Sequence, residues 1–223
     1  MNRLLTVLLL AASVGFADRG IICDPDSDCF YVPSAVRLSE QRVPALVVFH
    51  CNGATAADLD SFKKIGDSLN WVIATCHRVR NHRSILTNDS AAVQTIKKLL
   101  RFCPVDSGQV FLFGFSAQGV QALASMYLHP ELIKGVVTVC AHTGAQVLAE
   151  PVTLKKHYAY LVTRSGDWNR IANYELNRDL NLWGVRCTLA ITPGEHCAGS
   201  WQEVLAGCRW LQKQLRALTQ SRQ

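Results

Sequence analysis

Two apolar patterns alternate along the chain. Residues 44–50, 71–76, 110–115, 135–141, 157–162 and 187–191 are nearly unbroken apolar runs rich in Val, Ile, Leu and Phe. No polar position alternates within them, so each is expected to be a strand buried on both faces. Between the runs, apolar residues recur every three to four positions, the spacing of one helix face. Leu59, Phe62 and Ile65 mark such a stripe over 57–69, and Val93, Ile96, Leu99 and Leu100 mark another over 91–102. Asn88-Asp89-Ser90 reads as the start of that second helix. Further helices are expected over 117–128, 170–183 and 200–218, and short opening strands over 29–33 and 35–38. From His50 onward strands and helices alternate, which calls for a mostly parallel sheet covered by helices on both faces, with right-handed connections. No repeat, low-complexity tract or interior linker breaks the series, so residues 18–223 are expected to form one α/β domain.

In such a sheet a ligand lies beyond the carboxyl ends of the strands. His50, Ser116, Asp167 and His196 each follow a predicted strand end. The stretch 110–119, ending Gly114-Phe115-Ser116-Ala117-Gln118-Gly119, passes from strand through an abrupt turn into an apolar helix. That is the setting of a nucleophile elbow: the turn lifts the Ser116 hydroxyl off the sheet and leaves the Ala117 N–H unpaired at a helix start. A serine hydroxyl needs a base to take its proton and a third group to orient that base. Ser116, Asp167 and His196 stand in the chain order Ser…Asp…His found in one hydrolase fold. Asp106 and Glu195 are the rival acids. Asp106 precedes its strand, at the wrong edge of the sheet, and Glu195 adjoins the histidine, where neighbouring side chains on an extended turn point apart.

These residues, with Phe49-His50-x-x-Gly53, Ser165-Gly166-Asp167 and Gly194-Glu195-His196 before a Trp-containing last helix, resemble an α/β hydrolase over essentially the whole mature chain. The likeness is to small secreted esterases of the dienelactone-hydrolase and polyhydroxyalkanoate-depolymerase/feruloyl-esterase types. It implies a serine esterase without a large lid domain, with Ser116 as nucleophile, His196 as base and Asp167 as its orienter. The backbone amides of Asn52 and Ala117 would form the oxyanion hole. Two positions depart from the usual pattern: Gln118 stands where a glycine is expected, with Gly119 one residue late, and Cys51 follows His50 where the pattern has glycine. His50 is expected to anchor the oxyanion loop.

Composition narrows the setting. Met1-Asn2-Arg3, an apolar stretch over 4–16 and Gly15-Phe16-Ala17 read as a cleaved export signal over 1–17, giving a secreted or periplasmic protein. The apolar stretch falls short of the roughly 20 residues of a span, so no stable membrane insertion is expected. All nine cysteines lie beyond residue 17 and none forms Cys-x-x-Cys, which argues against zinc and thioredoxin-type chemistry. Most are expected to be in disulfides. Cys23 and Cys29 could close a local loop, and Cys51 is a candidate either for pairing with Cys76 or for the odd thiol. The net charge of +6 is mild and spread out, which disfavours nucleic acid as a partner. Arg78, Arg80, His82 and Arg83 form one basic cluster, read as a solvated loop or an anion-recognition patch. No cofactor or metal is implied, and a small or polymeric ester is the expected substrate. The alternatives are a non-catalytic binding protein on the same fold, a peptidase using the same triad, and a thiol-redox protein.

Overall fold

Where the sequence runs apolar without interruption the chain forms adjacent strands, and where the period is helical it covers them. The computed structural model describes residues 20–39 and 41–220; the expected export signal lies outside them. The strands are β1 (Ile21–Cys23), β2 (Cys29–Tyr31), β3 (Val43–Val48), β4 (Val72–Thr75), β5 (Val105–Phe115), β6 (Gly135–Val139), β7 (Tyr158–Gly166) and β8 (Arg186–Glu195). They make one sheet of order β1-β2-β4-β3-β5-β6-β7-β8. β1 and β2 are antiparallel additions at one edge, and from β4 to β8 every pairing is parallel.

The helices are α1 (Ser34–Arg37), α2 (Ala56–Leu69), α3 (Ile85–Phe102), α4 (Ala117–Leu128), α5 (Arg170–Leu182) and α6 (Trp201–Gln220). Strand side chains alternate between two cores. Ala45, Val47, Val72 and Leu112 meet α3, α4 and α5, whereas Leu46, Val48, Ile73, Phe111 and Phe113 meet α2 and α6. Full burial of each large side chain contributes about 1.5–3 kcal/mol. Trp71, stacked on Phe111 at 5.2 Å, is the largest of them.

Three expectations are corrected. Residues 35–38 are not a strand; Ser34–Arg37 is one helical turn after Pro33, burying only Val36 and leaving Leu38 exposed. The partner of β2 is instead β1, in a register that sets Cys23 opposite Cys29. The second correction is that α3 starts at Ile85, capped by the Ser84 side chain, which accepts from the Thr87 N–H at 3.1 Å. Asn88 and Asp89 therefore lie inside the helix, where they are buried and serve long-range hydrogen bonds instead of a cap.

Thirdly, among the described residues the only disulfide is Cys23–Cys29, and the seven other cysteines are free. Cys51 and Cys76 do not pair. The Cys76 thiol points into the core, 3.1 Å from the Thr95 hydroxyl, while Cys51 is half-buried beside the His50 ring. Cys76, Cys103, Cys140 and Cys208 are buried, and Cys103 and Cys208 act as small apolar side chains. Burial pushes the Cys103 and Cys187 thiols up to about 12, which holds them protonated and unreactive.

Candidate active site

The serine is placed by a collision between strand and helix. A Cβ on Gly114 would come within 2.1 Å of the Gln118 carbonyl oxygen, so only glycine lets β5 turn this tightly into α4. Ser116 takes the turn at φ 53°, ψ −121°. A non-glycine residue in that region costs about 1–3 kcal/mol and persists only when its surroundings impose it. Here its N–H donates to the Val139 carbonyl of β6 at 2.8 Å. Its side chain makes no capping bond to α4, and the Oγ lies 3.0 Å from His196 Nε2. Ala117 opens α4, where a helix has no internal acceptor for the N–H.

The late glycine proves to be the one that is needed. Gly119, not residue 118, faces β6, where a Cβ would come within 2.9 Å of Ala141 Cβ. Gln118 turns the other way, buried, and donates from Nε2 to Asn81 Oδ1 at 2.7 Å. Asn81 in turn donates its N–H to the Cys51 carbonyl at 2.8 Å. One residue in the loop after β4, by its side chain and its backbone N–H, thus ties the elbow helix to the loop bearing Asn52. That second loop turns at Gly53, whose φ of +86° and approach to the His77 carbonyl exclude a side chain. The Asn52 N–H makes a long 3.4 Å contact with His50 Nδ1, and His50 also accepts the turn by its carbonyl from the Gly53 N–H at 2.9 Å. Cys51 leaves both bonds in place.

β7 and β8 run side by side past their apolar cores to Gly166 and Glu195, and the next residue on each brings in an acid and a base. His196 Nδ1 lies 2.7 Å from Asp167 Oδ1. A carboxylate can only accept, so this contact puts the proton on Nδ1 and leaves Nε2 to accept from the Ser116 hydroxyl. Asp167 is 6 % exposed. Burial pushes its carboxyl up, but hydrogen bonds from His196, the Asn169 N–H, the Thr163 hydroxyl and the Cys140 thiol outweigh this and hold it below the usual carboxylate range. The Thr163 Oγ1 and Asn169 N donors lie at 2.8 and 2.9 Å. The rival acids are elsewhere. Asp106 accepts from the Gly108 N–H at the amino end of β5, and the exposed Glu195 carboxylate lies against Gly166.

Several residues around this relay escaped the sequence reading. Trp168 stacks on the His196 ring with centroids 3.7 Å apart, and Phe115 tilts against it at 5.1 Å. The His196 loop is pinned by Arg164 of β7, which donates to Glu203 at 2.9 Å and to the Ala198 carbonyl at 3.4 Å. Asn169 and Asn173 donate to the Cys140 and Ala141 carbonyls and fix the turn after β6. His142, beyond that turn, accepts the Gly144 N–H on Nδ1 at 3.1 Å. Burial, with the His196 ring nearby, pushes its pKa down. The strand-end rule that found Ser116 points equally to the end of β6. Cys140, Asp167 and His196 carry ligand atoms within 4.8 Å of one another, a spacing a cation could bridge. Burial pushes the Cys140 thiol up to about 12 and its proton serves Asp167, so the trio is set as a hydrogen-bond network.

No family model matches the sequence, and no curated protein is recognisably similar to it. Solved structures do match. A Bacillus cereus carboxylesterase superposes with a TM-score of 0.67 at 13% identity, over 91% of this chain and 99% of that one. FphF, a fluorophosphonate-binding serine hydrolase of Staphylococcus aureus, gives 0.66 at 10%, over 85% and 95%. Est1E from Butyrivibrio proteoclasticus gives 0.64 at 11%, over 88% and 98%. The chain has the α/β-hydrolase fold, with no large additional domain among the described residues.

Proposed function

We propose that this chain is a secreted serine hydrolase that cleaves carboxylic esters through an acyl-enzyme intermediate. The observation that carries the reading is the relay from Ser116 Oγ to His196 Nε2 at 3.0 Å and from Nδ1 to Asp167 at 2.7 Å, set on a strained strand-to-helix turn. In this reading His196 takes the Ser116 proton as Oγ bonds to the ester carbonyl carbon, and the carbonyl oxygen gains the negative charge. The Asn52 and Ala117 N–H groups donate to that oxygen, Asn52 exchanging its long contact with His50 for it. Collapse breaks the bond to the alcohol, which leaves with the proton from His196. Water, deprotonated by the same imidazole, then releases the acid and restores Ser116. Asp167 stays ionised throughout, fixing the tautomer and stabilising the imidazolium.

Gln118, where the usual elbow has glycine, is the feature that would favour a non-catalytic protein on this fold. The close approach at Gly119 and the Gln118–Asn81 bond support the catalytic reading instead. A peptide bond would demand the same steps with a poorer leaving group. The Cys23–Cys29 bridge supports export to an oxidising compartment, with residues 18–223 as one functional domain. The test is labelling with a fluorophosphonate and mass mapping of the adduct. Modification of Ser116, lost in His196→Ala, is expected; an unlabelled protein that also fails to turn over short-chain aryl esters would overturn the reading.

A further inference from the structure

The basic cluster after β4 has a structure that a solvated loop does not need. Asn88, 3 % exposed within α3, grips the Arg80 peptide from both sides. Its Oδ1 accepts the Arg80 N–H at 3.2 Å, and its Nδ2 donates to the Arg80 carbonyl at 2.9 Å. Asn81 bolts the next peptide to the loop bearing Asn52 and to the elbow helix. The backbone at Arg80 is thus fixed to both halves of the site. Its guanidinium, by contrast, is exposed and has no ion pair or hydrogen bond among the described residues.

The cluster also divides. Arg78 turns back toward the β1–β2 edge, donating to Gln94 at 2.8 Å and standing 3.7 Å from Asp28. Arg83 uses one nitrogen on the Arg78 carbonyl at 2.7 Å and keeps the rest of its fork. Arg80, His82 and Arg83 line a cleft of about 410 Å³ together with Ala117, Val120 and His142. Ala117 is the residue after Ser116. No aspartate or glutamate lines the cleft.

We propose that this cleft is a substrate subsite for a carboxylate, so that the preferred esters bear a free carboxylate a few atoms from the scissile carbonyl. The inference rests on the hydrolase reading above and names its substrate class. An arginine fork matches the two oxygens of a carboxylate. The fixed peptide removes the backbone's share of the ordering cost of that contact, and the uncommitted guanidinium has no internal partner to give up. A cleft without acids gives the anion no repulsion.

The experiment compares kcat/KM for mono-4-nitrophenyl adipate and suberate with the uncharged 4-nitrophenyl hexanoate and octanoate. A preference of about 10-fold or more for the charged partner of one pair is expected, shrinking in high salt because the arginines are exposed. In Arg80→Gln the charged-to-neutral ratio should fall about 10-fold, and in Arg80→Glu it should invert. Arg80→Lys should restore part of it, since the charge returns without the fork. Turnover of the neutral esters with a ratio near one, unchanged by Arg80→Gln, would overturn the subsite and leave the hydrolase reading standing. If neither ester is turned over, calorimetric titration with adipate decides. Binding weakened by Arg80→Gln keeps the subsite and sinks the hydrolase reading, whereas no binding sinks both.

Discussion

After β7 the chain commits its side chains to one another. Asp167 takes hydrogen bonds from Thr163, Asn169 and His196, Arg164 is locked to Glu203, and Asn173 holds the Ala141 carbonyl. After β4, at the same rim, the peptides are held instead: Asn88 grips Arg80, Asp28 accepts the His77 N–H at 3.0 Å, and the Arg80 and His82 side chains stay exposed. The difference follows from what each loop must do. A proton relay works only if its own groups keep their distances, so every lone pair of the acid is taken. A loop that meets an outside molecule needs a fixed frame and side chains with bonding capacity left over.

The comparison breaks most sharply at the relay. Ser116→Ala should lower ester kcat by at least about 10⁴-fold while the melting temperature moves little, because the hydroxyl makes no packing contact that the fold needs. Asp167→Asn should cost up to about 10⁴-fold with KM nearly unchanged, and Glu195→Gln no more than a few-fold. If Glu195→Gln were the crippling change, the acid would be misassigned. One step out, Glu203→Gln leaves Arg164 without its ion pair. Since both groups keep some solvent, the loss of stability should be roughly 2 kcal/mol, and kcat should fall about 10-fold as the His196 loop loosens. An unaltered kcat in that variant would show that the pair steadies the fold but not the base.

The β4 side is expected to respond to reductant. Opening Cys23–Cys29 releases the short loop that carries Asp28, itself bonded to His77 and Thr95. A loss of about 2 kcal/mol of stability is expected from the loop closure alone. Alkylation under native conditions should mark Cys197 first and leave Cys103 and Cys208 untouched until the protein unfolds. The smallest expected effect is on acid stability. The Asp167 carboxyl lies below its ordinary value in the folded chain, so its contribution is complete above about pH 4 and is lost as pH falls through the folded value. Asp167→Asn should flatten that acid limb in denaturant titrations from pH 5 to 2. An identical limb in both proteins would mean that the hydrogen bonds to Asp167 do not shift it.

The strands and the positions at their carboxyl ends are legible in the sequence because burial on both faces leaves an unbroken apolar run. Ser116, Asp167 and His196 stand out only when those strand ends are combined with the glycine-flanked turn, the chain order Ser…Asp…His and the family resemblance. What the sequence conceals are residues whose roles oppose their local habits. Asn88 and Asp89 look like a helix start, yet they sit a turn inside α3 because their side chains bind Arg80 and His129. Val36 promises a strand, but after Pro33 a single buried position is met as well by one helical turn. The cysteines suggest a stapled protein, whereas among the described residues seven are free, four of them buried in the two cores as side chains of the packing. Asn81 carries no local pattern at all; its importance exists only once β4 and β5 lie on either side of β3.

Trp168, parallel to the His196 ring within 18° and 74 % exposed, is a built-in optical probe. An excited indole in face contact with an imidazole is quenched when the imidazole gains a proton, and the cation is further attracted to the indole face. The Trp168→Phe difference isolates this emission from that of the four other tryptophans. It should dim as the base is protonated and should change again when Ser116 is blocked by a fluorophosphonate, reporting the state of the site without any substrate. Emission indifferent to both pH and labelling would show that the stack does not persist in solution.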